Sequence, residues 1–90
     1  MSDARARVVI HGRVQGVFFR AETRDRARSL GLDGWVRNTG EGSVEAVFEG
    51  DRDRIESMLV WCRRGPALAQ VDTVDVDWET PAGERGFAVR

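Results

Sequence analysis

The order in which the hydrophobic pattern changes its period most constrains the fold of this 90-residue chain. Alternation with a period of two is typical of strands, whereas apolar residues spaced by three and four indicate amphipathic helices. Along this chain the two patterns follow one another as strand, helix, strand, strand, helix and strand. We therefore expect an α+β domain in which two helices connect elements of one sheet.

Four segments have strand character. In the third, Val44, Ala46 and Phe48 share the face expected to meet the core, whereas Glu45 and Glu49 are expected to point away from it. An apolar ending predicts a further short edge strand. The predicted strands are residues 7–12, 34–38, 43–49, 71–79 and the ending at 87–90.

Two segments have helical character. The first, residues 21–30, precedes Gly31 at a position typical of a left-handed C-terminal cap. The second follows Asp51, a predicted N-cap, and ends before Gly65 and Pro66. Its core-facing stripe is Ile55, Met58, Leu59 and Cys62. The complete order predicts a ferredoxin-like βαββαβ sandwich, with an antiparallel or mixed sheet and both helices on one face.

Length and composition fit one folded unit. The 90 residues are 41% hydrophobic and 32% charged, which is typical of a globular chain with a single core. We expect one domain over residues 1–90, with a flexible N-terminal segment at residues 1–6.

The polar composition excludes several kinds of chemistry. All 14 basic residues are arginine, so Schiff-base catalysis and the lysine-dependent phosphate loop of NTPases are excluded. A single cysteine, Cys62, permits neither an internal disulfide nor a cysteine-rich zinc site. With no apolar signal segment, we expect a cytoplasmic protein without a membrane partner. A net charge of −1 argues against nucleic acid as a partner.

The segment from Gly12 to Arg20 joins the first strand to the first helix. Gly12 and Gly16 allow a tight turn, and backbone amides in such a loop can converge on an anion beside the helix N-terminus. Arg20 would oppose the helix dipole there unless a bound phosphate compensated for its charge. From spacing alone the alternative stays open that the loop is a plain connector with Arg20 in solvent.

Asn38 is a second candidate site residue. It ends the predicted second strand, and its amide can both donate and accept a hydrogen bond, which suits a residue that holds a water molecule. The alternative interpretation is an asparagine that only initiates the following turn.

Two motifs together resemble one known family. The stretch Gly12-x-Val14-Gln15-Gly16-Val17-x-Phe19-Arg20 is similar to the phosphate-loop signature of the acylphosphatases. The stretch from Gly34 to Asn38, followed by Gly42, Val44 and Gly50, resembles their second signature. The similarity extends from about residue 7 to the C-terminus.

The resemblance implies a ferredoxin-like hydrolase that cleaves the carboxyl–phosphate bond of acylphosphates, a hydrolase acting on acid anhydrides. By this resemblance, the backbone amides of Gln15 to Arg20 and the Arg20 guanidinium hold the phosphoryl group. Asn38 orients the attacking water, and the substrate's own phosphate helps to accept the proton. We expect no metal, no organic cofactor and no phosphoenzyme intermediate. We expect the protein to be a monomer. Inorganic phosphate is the expected product and competing ligand. The expected phosphate-binding residues are Gln15, Gly16, Val17, Phe18, Phe19 and Arg20.

Other functions remain as alternatives. Ferredoxin-like sheets also carry RNA-recognition domains, although this chain lacks tyrosine and the exposed face of its last long strand is acidic. A second alternative is a regulatory or maturation module that has kept the acylphosphatase fold, as in the N-terminal domain of hydrogenase-maturation carbamoyltransferases. Those proteins also contain zinc-finger and catalytic domains, whereas this sequence has no C-x-x-C motif, so a free-standing enzyme is expected. His11 is expected to be structural rather than a general base, and Cys62 a buried core thiol.

Overall fold

The computed structural model describes residues 3–90, which form five strands and two helices in the predicted order. The elements are β1 (Asp3–Arg13), α1 (Phe19–Ser29), β2 (Asp33–Asn38), β3 (Val44–Asp51), α2 (Arg52–Arg64), β4 (Gln70–Glu79) and β5 (Phe87–Val89). No helix within residues 3–90 is long and apolar enough to cross a membrane.

The strands form one mixed sheet in the order β4-β1-β3-β2-β5. Neighbouring strands are antiparallel except β2 and β5, which run parallel. Together with the two helices this confirms the predicted ferredoxin-like α+β sandwich. The order makes β1 an interior strand, paired on both sides, so the loop that follows it starts from a well-supported part of the sheet.

The core forms between the helices and the sheet face that carries Val8, Ile10 and Phe48. The predicted stripe of α2 is confirmed, because all four of its residues are buried, and Asp51 caps this helix by accepting hydrogen bonds from the Asp53 and Arg54 amides at 2.9 and 3.3 Å. Burial raises the pKa of the Cys62 thiol to about 12, so Cys62 is an inert core residue.

The sequence prediction is wrong about the start of β1, the start of α1 and the exposure of Trp78. Strand β1 begins at Asp3 rather than residue 7, because residues 3–6 pair with β3, so part of the segment expected to be flexible is strand. Helix α1 begins at Phe19 rather than residue 21, and its first turn therefore contains Arg20. The alternation of Val74, Val76 and Trp78 along β4 predicts an inward-facing Trp78, but this side chain is 38% exposed, and the Arg52 guanidinium lies 3.9 Å from its ring centroid.

Glu49 points away from the helix-side core, as predicted, but it is nevertheless buried, on the sheet face opposite the helices. The segment between β4 and β5 folds over this carboxylate, which accepts hydrogen bonds from the amides of Ala82, Gly83 and Glu84. Its second partner is the buried Arg5 guanidinium. A period-two pattern marks the face of a strand, but it does not show whether a later loop covers that face.

Three glutamates of the sheet, Glu45, Glu49 and Glu79, have lowered pKa values. Burial by itself would raise the pKa of Glu49, but hydrogen bonds from the three backbone amides and from Arg5 outweigh it. The pKa of Glu45 is lowered in the same way, with Arg7 and Arg37 outweighing burial. Hydrogen bonds from Arg5 and Arg7 lower the pKa of Glu79.

These lowered pKa values predict that the protein loses stability in acid. An unfolded glutamate has a pKa of about 4.3, so between that value and its lower folded pKa the unfolded state binds more protons. The contribution to stability is therefore present above about pH 4.3 and is lost as the pH falls through the folded values. Urea unfolding followed from about pH 6 to about pH 3 measures this loss.

Glu49→Gln identifies the main source of the acid dependence. This variant should be less stable than the wild type at neutral pH, by about 2 kcal/mol, and should lose less on acidification. Glu56→Gln is the control, because Glu56 is exposed on α2 and makes only a 3.9 Å ion pair with Arg52. The same acid dependence in all three proteins would show that Glu49 is not the group responsible.

Candidate active site

The loop between β1 and α1 is anchored by its apolar side chains. Val14 and Val17 are buried in the core cluster, and Phe19 is packed edge-on against Trp61 with ring centroids 5.4 Å apart. Gly65 makes room for Phe19, because a Cβ there would lie 2.6 Å from the phenyl ring. These contacts fix both ends of the loop against the body of the domain.

The backbone between these anchors turns through left-handed conformations. Gly16 has φ 75°, which glycine adopts without steric cost. Phe18 has φ 65° and is the only non-glycine residue with positive φ in the part of the chain that the structure describes. Such a conformation disfavours a bulky residue and often accompanies function. The Phe18 side chain is 72% exposed, so it is not core packing that holds Phe18 in this conformation.

This geometry leaves a run of backbone amides without protein partners. Phe18 precedes α1 and contributes no side-chain cap, and the first amide here that bonds within the protein is that of Glu22, to the Phe18 carbonyl at 3.0 Å. Within residues 3–90, the amides of Gln15 through Arg20 donate to no other group of the protein. Unpaired amides at a helix N-terminus carry partial positive charge, and such a loop favours anions.

Arg20 adds a full positive charge in the first turn of α1. It is exposed, it lines the pocket beside the loop, and none of the ion pairs formed within residues 3–90 involves it. The helix dipole and the guanidinium therefore both favour a negatively charged ligand at this position.

Asn38 reaches this pocket from the sheet. Val44 of β3 pairs with Ile10 of β1 on one side and with Asn38 of β2 on the other, so Asn38 lies at the end of the sheet from which the loop departs. Its Oδ1 atom is buried and accepts no hydrogen bond within the described residues. A buried polar atom without a partner is rare, and it marks a position where a bound water or ligand can donate.

The side chain of Gln15 connects the loop to the turn that follows Asn38. Its Nε2 atom donates to the carbonyls of Thr39 and Ser43, both at 2.9 Å. Sequence reasoning assigned only the backbone amide of Gln15 to the site and missed this contact. No local motif reveals it, because the accepting groups are carbonyls 24 and 28 residues away.

The loop, Arg20 and Asn38 meet in one pocket of about 380 Å³. Of the predicted site residues it is lined by Gly16, Phe18, Phe19, Arg20 and Asn38, whereas the side chain of Gln15 lies at the turn and Val17 is buried beneath the loop. The other lining residues are Val14, Ala21, Arg24 and Val89. Arg20 and Arg24 line the pocket and, among residues 3–90, no acidic residue does, so the net charge of its lining is positive.

Among the described residues, no histidine, cysteine, aspartate or glutamate lines the pocket, so it contains none of the usual metal ligands or general bases. Within residues 3–90, no group of three or more His, Cys, Asp or Glu side chains is arranged to hold a metal ion. The ring of His11 is exposed and lies 3.0 Å from Asp75, on the β1–β4 side of the sheet, and it does not line the pocket.

The fold and this site together define a ferredoxin-like domain with a positively charged pocket at the start of its first helix. The acylphosphatase family model matches residues 6–89. An acylphosphatase of Roseiflexus sp. is 57% identical over 90 residues, covering 99% of this chain and 97% of that protein. An acylphosphatase of Pelotomaculum thermopropionicum is 53% identical, with 99% and 98% covered.

A solved structure agrees with these relatives. The structure of an acylphosphatase from Coxiella burnetii superposes with a TM-score of 0.94 at 39% identity, covering 98% of this chain and 93% of that one. The chain belongs to the acylphosphatase family. This confirms the family indicated by the two sequence motifs.

The Gln15 contact predicts that the loop protects the turn. Gln15→Met removes both hydrogen bonds while keeping a similar side-chain length, so we expect amide hydrogen exchange at Thr39 and Gly42 to become about tenfold faster. Gln70→Met is the matched control, because Gln70 is exposed and its side chain makes no hydrogen bond within residues 3–90. Unchanged exchange in Gln15→Met would show that the contact does not stabilise the turn.

Proposed function

We propose that this chain hydrolyses the carboxyl–phosphate bond of acylphosphates, releasing a carboxylate and inorganic phosphate. Membership of the acylphosphatase family supports the reaction, and the geometry of the pocket supports the way in which it proceeds. The observation that carries the proposal is the run of unpaired amides from Gln15 to Arg20 beside the Arg20 guanidinium.

In this proposal the loop and Arg20 hold the transferred phosphoryl group. The amides of Gln15 to Arg20 donate to its oxygens, and the Arg20 guanidinium, whose planar donors match phosphoryl oxygens, supplies the full charge. The donors are already unpaired and fixed by buried anchors, so little reorganisation is needed when charge develops in the transition state.

Asn38 orients the nucleophile. A water molecule that donates a hydrogen bond to the unpartnered Oδ1 atom of Asn38 is held at the wall of the same pocket that Arg20 lines. This leaves an oxygen lone pair free to attack phosphorus on the side opposite the acyl group. Such positioning converts an encounter with bulk water into an attack from a fixed site.

The reaction needs no side chain that acts as a strong base. Water oxygen bonds to phosphorus while the bond between phosphorus and the carboxylate oxygen breaks, and the carboxylate leaves with the electron pair. The water proton passes to a phosphoryl oxygen of the substrate. Because a carboxylate is a good leaving group, positioning and electrostatic stabilisation can carry the catalysis.

We also propose that the protein works as a cytoplasmic monomer on a small acylphosphate, with inorganic phosphate as a competing ligand. In support, the loop, Arg20 and Asn38, the groups that the proposed reaction uses, come together within a single copy of the chain. The cytoplasmic assignment is supported by the single cysteine, which is buried in the core and has no partner within the chain for a disulfide.

Removal of the Arg20 guanidinium tests the phosphoryl-binding role. Arg20→Ala should lower acetyl phosphate hydrolysis by about 10²- to 10³-fold and weaken inhibition by inorganic phosphate, because the charged donor is lost in both complexes. Steady-state phosphate release in excess chelator measures the rate. Retention of more than about a tenth of the wild-type rate would contradict the role.

Asn38 should affect a different step. Asn38→Ala should lower kcat by at least about tenfold while the inhibition constant of inorganic phosphate stays nearly unchanged, because the phosphoryl oxygens are bound by other groups. The same two assays measure both quantities. A large loss of phosphate affinity would place Asn38 in phosphoryl binding instead of water positioning.

A further inference from the structure

The pocket is larger than a phosphoryl group requires. Its volume is about 380 Å³, whereas a phosphoryl group has the size of a few water molecules, each about 30 Å³ in the liquid. If the loop amides and Arg20 hold the phosphoryl group, as proposed above, the remaining space accommodates the acyl part of the substrate. The residues that line this remaining space therefore select among acylphosphates.

Arg24 is the polar residue that lines this space. It follows Arg20 by four residues on α1, so both side chains lie on the same face of the helix, about 6 Å apart along its axis. Arg24 is thus one turn further from the phosphoryl-binding loop.

The guanidinium of Arg24 has hydrogen-bond donors without a partner in the described part of the chain. Its Nε atom donates to the Asp25 carboxylate at 3.0 Å, and within residues 3–90 its two terminal nitrogens make no hydrogen bond. Asp25 does not line the pocket. Among residues 3–90, the pocket is therefore lined by two arginines and by no acidic residue, in a chain whose net charge is −1.

We propose that Arg24 binds a second anionic group on the acyl part of the substrate, so that the preferred substrates are acylphosphates whose acyl group itself carries a carboxylate or a phosphate. This proposal rests on the proposed hydrolytic function. In succinyl phosphate, two methylene groups separate the free carboxylate from the acyl carbonyl that bears the phosphoryl group. The distance between the carboxylate and the phosphoryl group is therefore on the order of one helical turn, about 5.4 Å, which is comparable to the spacing of Arg20 and Arg24 along α1. The exposed Phe18 and Val89 at the rim provide apolar contacts for such methylene groups.

A comparison of two substrates tests the proposal. Succinyl phosphate and butyryl phosphate have the same number of carbon atoms, but only the first carries a terminal carboxylate. The wild type should have a kcat/KM for succinyl phosphate about five- to tenfold higher than for butyryl phosphate, the size expected of one partly exposed, charge-assisted contact. The preference should decrease as salt is added.

Variants of Arg24 assign the preference to this side chain. Arg24→Gln should bring the ratio of the two kcat/KM values close to one, Arg24→Glu should reverse it, and Arg24→Lys should keep part of it. Arg26→Gln is the matched control, because Arg26 lies on the same helix over Trp61, 5.2 Å from the ring centroid, and does not line the pocket. This control removes the same charge from the protein.

Binding of non-hydrolysable compounds separates this proposal from the proposed activity. Titration calorimetry should show tighter binding of 5-phosphonopentanoate than of pentylphosphonate to the wild type, and equal binding of the two to Arg24→Gln. If neither acylphosphate is hydrolysed but this difference is found, the proposed function fails and the second anion site stands. A wild-type ratio of one or less, or the same preference in Arg24→Gln, overturns the proposal.

Discussion

The unpaired amides at the start of α1 are the constraint on which the account of the site depends. A helix leaves its first backbone N–H groups unsatisfied, and most helices cap them with a side chain or water. Here the left-handed Phe18 precedes the helix without a side-chain cap, and Gly16 turns the loop so that further amides are unpaired. An anion is the natural ligand for this arrangement, and Arg20 strengthens that preference.

The rest of the domain holds this loop in place. Buried Val14, Val17 and Phe19 anchor it to the core, and Gln15 ties it to the turn after Asn38. On the opposite face of the sheet, Arg5 and Glu49 fasten the segment that leads into β5. Strand β5 carries Val89 to the pocket. The contacts of Arg5 and Glu49 with the segment before β5 therefore help indirectly to position Val89.

The sequence predicted what depends on local pattern and missed what depends on distant partners. The order of the elements, the Asp51 cap and the buried stripe of α2 follow from periodicity and capping chemistry, and the structure confirms them. The burial of Glu49 depends on a loop more than thirty residues away, and the contact of Gln15 joins segments 24 residues apart. In the sequence, Arg24 is simply the fourth residue after Arg20. Because α1 begins at Phe19, both arginines lie on the same face of this helix, and the structure shows that both line the pocket.

The most direct test of the central claim is a titration of the isotope-labelled protein with inorganic phosphate, followed by the backbone amide resonances in NMR. The amides of residues 15–20 should shift progressively and saturate together, because these groups donate to the bound anion. Smaller shifts are expected for the basic C-terminal end of α2 at Arg63 and Arg64. Shifts confined to that basic end, with the loop amides unchanged, would show that the loop is not the anion site.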